Sequence, residues 1–130
     1  MREFVYGLLA ASLVAAPVAA ARQTPEKQLA KLLQGRVAGK PVSCISLSRS
    51  SSDSMKIPGL AMAYRQGGTW YVNRFSDDCT QLSEDTILVT HTIGSRLCRG
   101  DSADLISATG RFPVGACIFG DFVPYTRPKG

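Results

Sequence analysis

The sequence predicts a mainly β fold: a small antiparallel sheet or partly closed barrel, with one short N-terminal helix, stapled by disulfides. Three observations predict it. From Cys44 onward, short runs of β-branched and aromatic residues are broken every few positions by Gly, Pro, Asp and Ser. Helical spacing of apolar residues occurs once, after Thr24. The four cysteines are even in number and follow what reads as an export signal.

Size and composition narrow the class. The chain has 130 residues, a net charge of +5 and 45% hydrophobic residues, enough for one globular domain and too apolar for a disordered chain. Its 12 glycines and 7 prolines exclude a collagen-like or low-complexity chain, and its length excludes a large multidomain enzyme.

Residues 1–21 read as a signal peptide. Leu8 to Ala16 is an apolar stretch about half the roughly 20 residues needed to cross a bilayer, and Ala19-x-Ala21 supplies the small residues a signal peptidase requires. Cleavage is expected before Arg22, with no transmembrane segment left after processing and no acylated cysteine at the cut. The location that follows is periplasmic or secreted.

Residues 22–41 read as a helix and connector. Thr24 is an N-cap, Pro25 suits the first helical position, Glu26 complements the positive helix end, and Leu29, Leu32 and Leu33 form one stripe. Gly35 ends the helix, and Arg36 to Pro41 connects it to the β domain, residues 42–130.

That domain begins with alternation at Cys44-Ile45-Ser46-Leu47-Ser48, followed by a serine-dense loop to Ser54. Leu60–Arg65 and Thr69–Phe75 then flank Gly67-Gly68, a two-residue hairpin turn whose register sets Tyr64 opposite Tyr71 and Arg65 opposite Trp70. A second hairpin is predicted for Thr86–Ile93, turning at Gly94-Ser95 and returning along Arg96–Arg99 to a turn at Gly100-Asp101. Alternation there groups Ile87, Val89, His91 and Ile93 on an apolar, inward face, with His91 opposite Cys98. Asp104–Ala108, Gly115–Phe119 and Phe122–Tyr125 complete the strands.

Cys44, Cys79, Cys98 and Cys117 are expected to form two bridges. Three pairings are open, and the order of elements favours Cys44–Cys117, closing first strand on last, with Cys79–Cys98 tying the two hairpins. A metal is not expected, because there is no C-x-x-C and His91 is not at ligand spacing from any cysteine. No cofactor motif is present: G-x-G-x-x-G, a P-loop, H-E-x-x-H and G-x-S-x-G are all missing.

Several segments carry a resemblance: Gly35-Arg36-Val37-Ala38-Gly39-Lys40-Pro41, Tyr71-Val72-Asn73-Arg74, Asp85-Thr86-Ile87-Leu88-Val89-Thr90, Gly94 to Asp101, and Gly120-Asp121-Phe122-Val123-Pro124-Tyr125. They resemble a group of small exported proteins of sphingomonad-type alphaproteobacteria, along nearly the whole chain after the signal. The resemblance implies a periplasmic location and a single domain. It brings no catalytic residue with it.

Function is therefore read from the charges. Arg65, Trp70 and Arg74 share one face of the first hairpin, with Arg96 and Arg99 adding charge elsewhere. Arginine gives bidentate contacts to phosphate or carboxylate and Trp70 a stacking surface, so the expected ligand is an anionic envelope polymer or lipid head group. Export removes nucleic acid as a partner. The chain reads as a binding or structural module of the cell envelope. The alternative is a small envelope hydrolase, which needs titratable groups converging around His91, the Asp101/Asp104 pair or Glu84/Asp85, residues that alternation and turn chemistry assign to core and turns.

Overall fold

A computed structural model describes Gly7 and residues 11–13, 23–48 and 53–129. The signal peptide falls almost wholly outside these residues, as do the central serines of the serine-dense loop. Along the chain run helix α1 (Pro25–Leu32) and strands β1 (Val37–Ala38), β2 (Cys44–Ser46), β3 (Ser54–Ile57), β4 (Ala61–Gln66) and β5 (Thr69–Asn73). They are followed by β6 (Thr86–His91), β7 (Arg96–Cys98), β8 (Ser102–Ser107), β9 (Pro113–Ile118) and β10 (Phe122–Thr126).

The strands form a five-stranded sheet in the order β1-β10-β5-β4-β3, a three-stranded sheet β6-β8-β9 and a two-stranded sheet β2-β7. All pairings are antiparallel. The fold is mainly β, as expected, but the sheets do not close into a barrel.

The five-stranded sheet is the middle layer, and β4 shows why. Its first four residues, Ala61, Met62, Ala63 and Tyr64, are all buried, because the strand is covered on both faces. Ala61 and Ala63 face α1 and pack with Leu29, Ile57 and Val72. Their small side chains let the helix sit close. Met62 and Tyr64 face the other way, into the main core with Phe122, Phe119, Phe75, Leu82, Leu97, Leu105, Ile45 and Ala103. The two smaller sheets cover that side.

The helix follows its sequence signals. Thr24 caps it by accepting from the Lys27 N–H at 3.3 Å, Leu29 is buried, and Gly35 leaves it at φ 76°. The first hairpin also has the expected register, with Tyr64 opposite Tyr71 and Arg65 opposite Trp70. Gly67 adopts φ 59°, which a residue with a β-carbon resists.

The second hairpin does not form. β6 pairs along all six residues with β8, placing His91 opposite Ser102 instead of Cys98, while β7 pairs with β2. Gly94, at φ 73°, lies in the link from one sheet to another and does not turn a hairpin. The reason is burial: Leu97 and Ile45 are 0% and 4% exposed as direct partners, which a β6-β7 hairpin would not provide.

The inward face of β6 is also the reverse of that expected. Ile87 and Val89 are 41% and 44% exposed, and His91 is exposed with them, while Thr86 is buried and Leu88 packs on the core. A threonine can occupy that inner position because its hydroxyl is satisfied locally, donating to Ser83 O at 2.9 Å and accepting from Ser83 N–H at 3.0 Å.

The bridges form, with a different connectivity. Cys44 joins Cys98 and Cys79 joins Cys117. Cys44 and Cys98 are direct cross-strand partners in β2-β7, a pairing invisible while β7 is assigned to β6. Cys79, on the loop after β5, reaches Cys117 of β9 inside the main core.

Candidate functional site

Arg65, Trp70 and Arg74 lie on the α1 side of the five-stranded sheet but are spread along it. Arg65 and Trp70 stay together as cross-strand partners, with Tyr125 on the other side of Trp70. Arg74 lies four residues further along, about 13 Å away at about 3.3 Å per strand residue. There its guanidinium meets Glu26 of α1, Nη1 to Oε1 3.6 Å, with both side chains more than half exposed. Arg99, in the turn after β7, pairs with Asp121 at 3.6 Å, just ahead of β10.

A residue outside the predicted set also reaches the turn. Arg36, between α1 and β1, donates from Nη1 to Gly68 O at 2.7 Å and to Tyr125 O at 3.3 Å. Arg65 donates from Nε to Gly67 O at 3.3 Å. Two guanidinium groups therefore converge on the carbonyls of the β4-β5 turn. Arg36 uses only part of its five-donor fork in these bonds.

Between the arginines lies an aromatic ledge. Trp70 and Tyr125 are half-buried, packed against the cluster of Leu29, Ile57, Ala61, Ala63 and Val72. The packing fixes the rings while leaving part of each at the surface. Asp53 is near: its backbone O accepts from the Arg65 N–H at 2.9 Å, so it borders the ledge on the β3 side.

The titratable groups a hydrolase would need converge at one other place. His91 Nε2 and Asp104 Oδ2 are 2.7 Å apart on the outer face of β6-β8-β9, with side chains 55% and 49% exposed. Ile87, Val89 and Ile118 surround the pair on an open sheet surface. Asp101 is a turn residue, accepting from the Cys98 N–H at 2.7 Å through Oδ2, so the Asp101/Asp104 pair does not form a shared site. Glu84 and Asp85 line an open cleft of about 620 Å³ with Gln23, Pro25, Gln28, Pro58 and Ser83, beside the start of α1.

One buried titratable group lies in the core. Burial pushes the Tyr64 phenol well above its ordinary range, and its ring meets Phe122 edge-on at 6.2 Å.

The ledge was half legible in the sequence. Arg65 and Trp70 are joined by a local turn, whereas Arg36 and Tyr125 arrive through the β1-β10-β5 pairing, which spans most of the chain. No helix among the described residues is long and apolar enough to cross a membrane. No family profile, curated protein or solved structure matches the chain.

Proposed function

We propose that the protein is an exported, periplasmic or secreted module that binds an anionic envelope polymer or lipid head group on the ledge formed by Arg36, Arg65, Trp70 and Tyr125. One observation carries this reading: two arginines converge on a single turn beside a tryptophan held half-exposed by core packing. Charge attracts the ligand and the ring supplies contact area. Two disulfides, the signal-like N-terminus and the resemblance to small exported proteins support the location.

The single tryptophan reports on its own site. Its emission is followed while alginate or phosphatidylglycerol vesicles are titrated at several salt concentrations. Affinity should fall as salt rises, since the Debye length shrinks from about 10 Å at 0.1 M to about 3 Å at 1 M. Arg65→Ala should weaken binding and flatten the salt dependence. Trp70→Ala, read by co-sedimentation, should weaken binding and leave the salt slope unchanged, and Arg74→Ala should change little. Unaltered binding by both Arg65→Ala and Trp70→Ala would overturn the assignment.

The His91–Asp104 pair favours a second reading, a small envelope hydrolase in which Asp104 orients His91 as a base. Turnover of an activated ester that disappears in His91→Asn at unchanged stability would establish it. Turnover equal to that of free imidazole would remove it.

A further inference from the structure

Strand β6 has β8 on one side and no strand on the other among the described residues. The bonds at its start reveal which backbone groups face that open side. Ala108 N–H donates to Asp85 O at 2.8 Å, whereas Ser107 N–H turns the other way, to Phe112 O, at 2.8 Å. Directions alternate along an antiparallel ladder, so Ile87, Val89 and His91 bond to β8. Thr86, Leu88 and Thr90 point their N–H and C=O groups outward.

The edge is closed at Thr86. Its N–H donates to Ser83 O at 3.2 Å and its carbonyl accepts from Lys56 Nζ at 2.6 Å. The open stretch is thus Leu88 to Thr90, which borders a groove of about 430 Å³ shared with Met62 and Tyr64. From Thr86 to Thr90 the strand has no charged side chain. Exposed strand edges are normally blunted by lysine, proline or a bulge, and Lys56 blunts only one end of this one.

We propose that this edge pairs with β6 of a second copy of the chain, antiparallel about a two-fold axis through Val89. In that register Leu88 faces Thr90 of the partner subunit and Thr90 faces Leu88 of the partner subunit. Four backbone hydrogen bonds form, using both open positions and leaving the Lys56 cap in place. A register centred on Leu88 is poorer, because it sets Thr90 against a Thr86 whose backbone groups are already bonded. Val89, 44% exposed, then meets Val89 of the partner subunit at a non-hydrogen-bonded position, where cross-strand side chains are closest. The two open positions flank Val89 symmetrically and the stretch carries no charge to repel its own copy, so a second copy satisfies both in one register.

The test is oligomeric state by sedimentation velocity from micromolar to millimolar protein, at fixed salt. The wild-type chain should be a dimer that dissociates on dilution. Val89→Lys should be a monomer with unchanged circular dichroism, because residue 89 points outward opposite Asp104 and two lysines on the axis repel. If Val89→Lys does not fold, Thr90→Pro, which removes an outward N–H without touching the β6-β8 ladder, should be monomeric. Under oxidation Val89→Cys should give a covalent dimer, whereas Ile87→Cys, set against His91 of the partner subunit, should not.

A wild-type monomer at every concentration would overturn the proposal, as would a dimer indifferent to Val89→Lys or equal cross-linking at both positions. A monomer whose Leu88 and Thr90 amides gain exchange protection only when an extended peptide is added would overturn it in favour of a peptide partner.

Discussion

Asn73 holds together the turn from which two parts of the core are hung, and its removal should be the most damaging single polar change in the protein. It is 0% exposed at the end of β5. Its Nδ2 donates to Gly120 O at 2.8 Å, and its Oδ1 accepts from Gly120 N–H at 2.9 Å and Phe75 N–H at 3.0 Å. The side chain thus joins the β9-β10 link to a loop in which Phe75 sits at φ 54°, a conformation few non-glycine residues adopt unaided. Asn73→Ala leaves three backbone groups without partners. At about 1–3 kcal/mol for each buried orphan, partly relieved by entering water, the loss is about 3–5 kcal/mol. For a domain of this size each kcal/mol lowers Tm by about 4–8 °C, so a fall of about 15–30 °C is expected.

The assay is urea denaturation with both disulfides intact, beside a thermal scan. Asn73→Asp adds a second arm. A carboxylate keeps the two acceptor bonds but sets a second oxygen against Gly120 O, while the protonated acid can donate there and restore the pattern. The folded-state pKa of the new acid is then raised above the unfolded value. Its stability is complete below the unfolded pKa, near 3.9, and is lost as pH rises through the folded one. Asn73→Asp should therefore approach the wild type in acid and fall away from it at neutral pH. A loss under about 1 kcal/mol in Asn73→Ala would refute the reasoning, since it would mean the three groups find other partners at no cost.

Three further outcomes follow from the bridges and the core. A non-reducing peptide map should link Cys44 to Cys98 and Cys79 to Cys117, and replacing the buried pair by alanine should cost about 4 kcal/mol, the loop-closure entropy of a separation of 38 residues. In alkaline titration followed at the tyrosinate band, Tyr64 should stay protonated well above the ordinary phenol range. Its raised pKa adds stability that is complete below about pH 10, the unfolded value, and is lost as pH rises above it, so the Tyr64 phenolate should appear together with unfolding.

What was readable in the sequence was local. The helix is signalled by Thr24, Pro25 and Gly35, and the first hairpin by two adjacent glycines that set the register of everything between Tyr64 and Tyr71. Where a partner had to come from far along the chain, local signals misled. Gly94-Ser95 looks like a turn, yet the better partner of β6 is β8, which offers six paired residues, and β7 leaves to bury Leu97 against Ile45. The period of β6 was legible and its parity was not, because a threonine that satisfies its own hydroxyl is as good an inward residue as a valine. Those errors carried through to the cysteine pairing and to His91. The ledge was similarly divided: Arg65 and Trp70 are neighbours by a turn, Arg36 and Tyr125 only by topology.

The two bridges interleave: the span from Cys44 to Cys98 overlaps that from Cys79 to Cys117. Nested bridges, Cys44 to Cys117 around Cys79 to Cys98, would let a protease cutting once on each side of the inner pair free the middle piece. With interleaved bridges the same two cuts free nothing, because the middle piece holds Cys79 and Cys98, each tied to a different flank. A chain nicked in both places would still migrate as one molecule until reduced, and would then fall into three. The connectivity thus keeps all three pieces of a twice-cut chain in one covalent molecule.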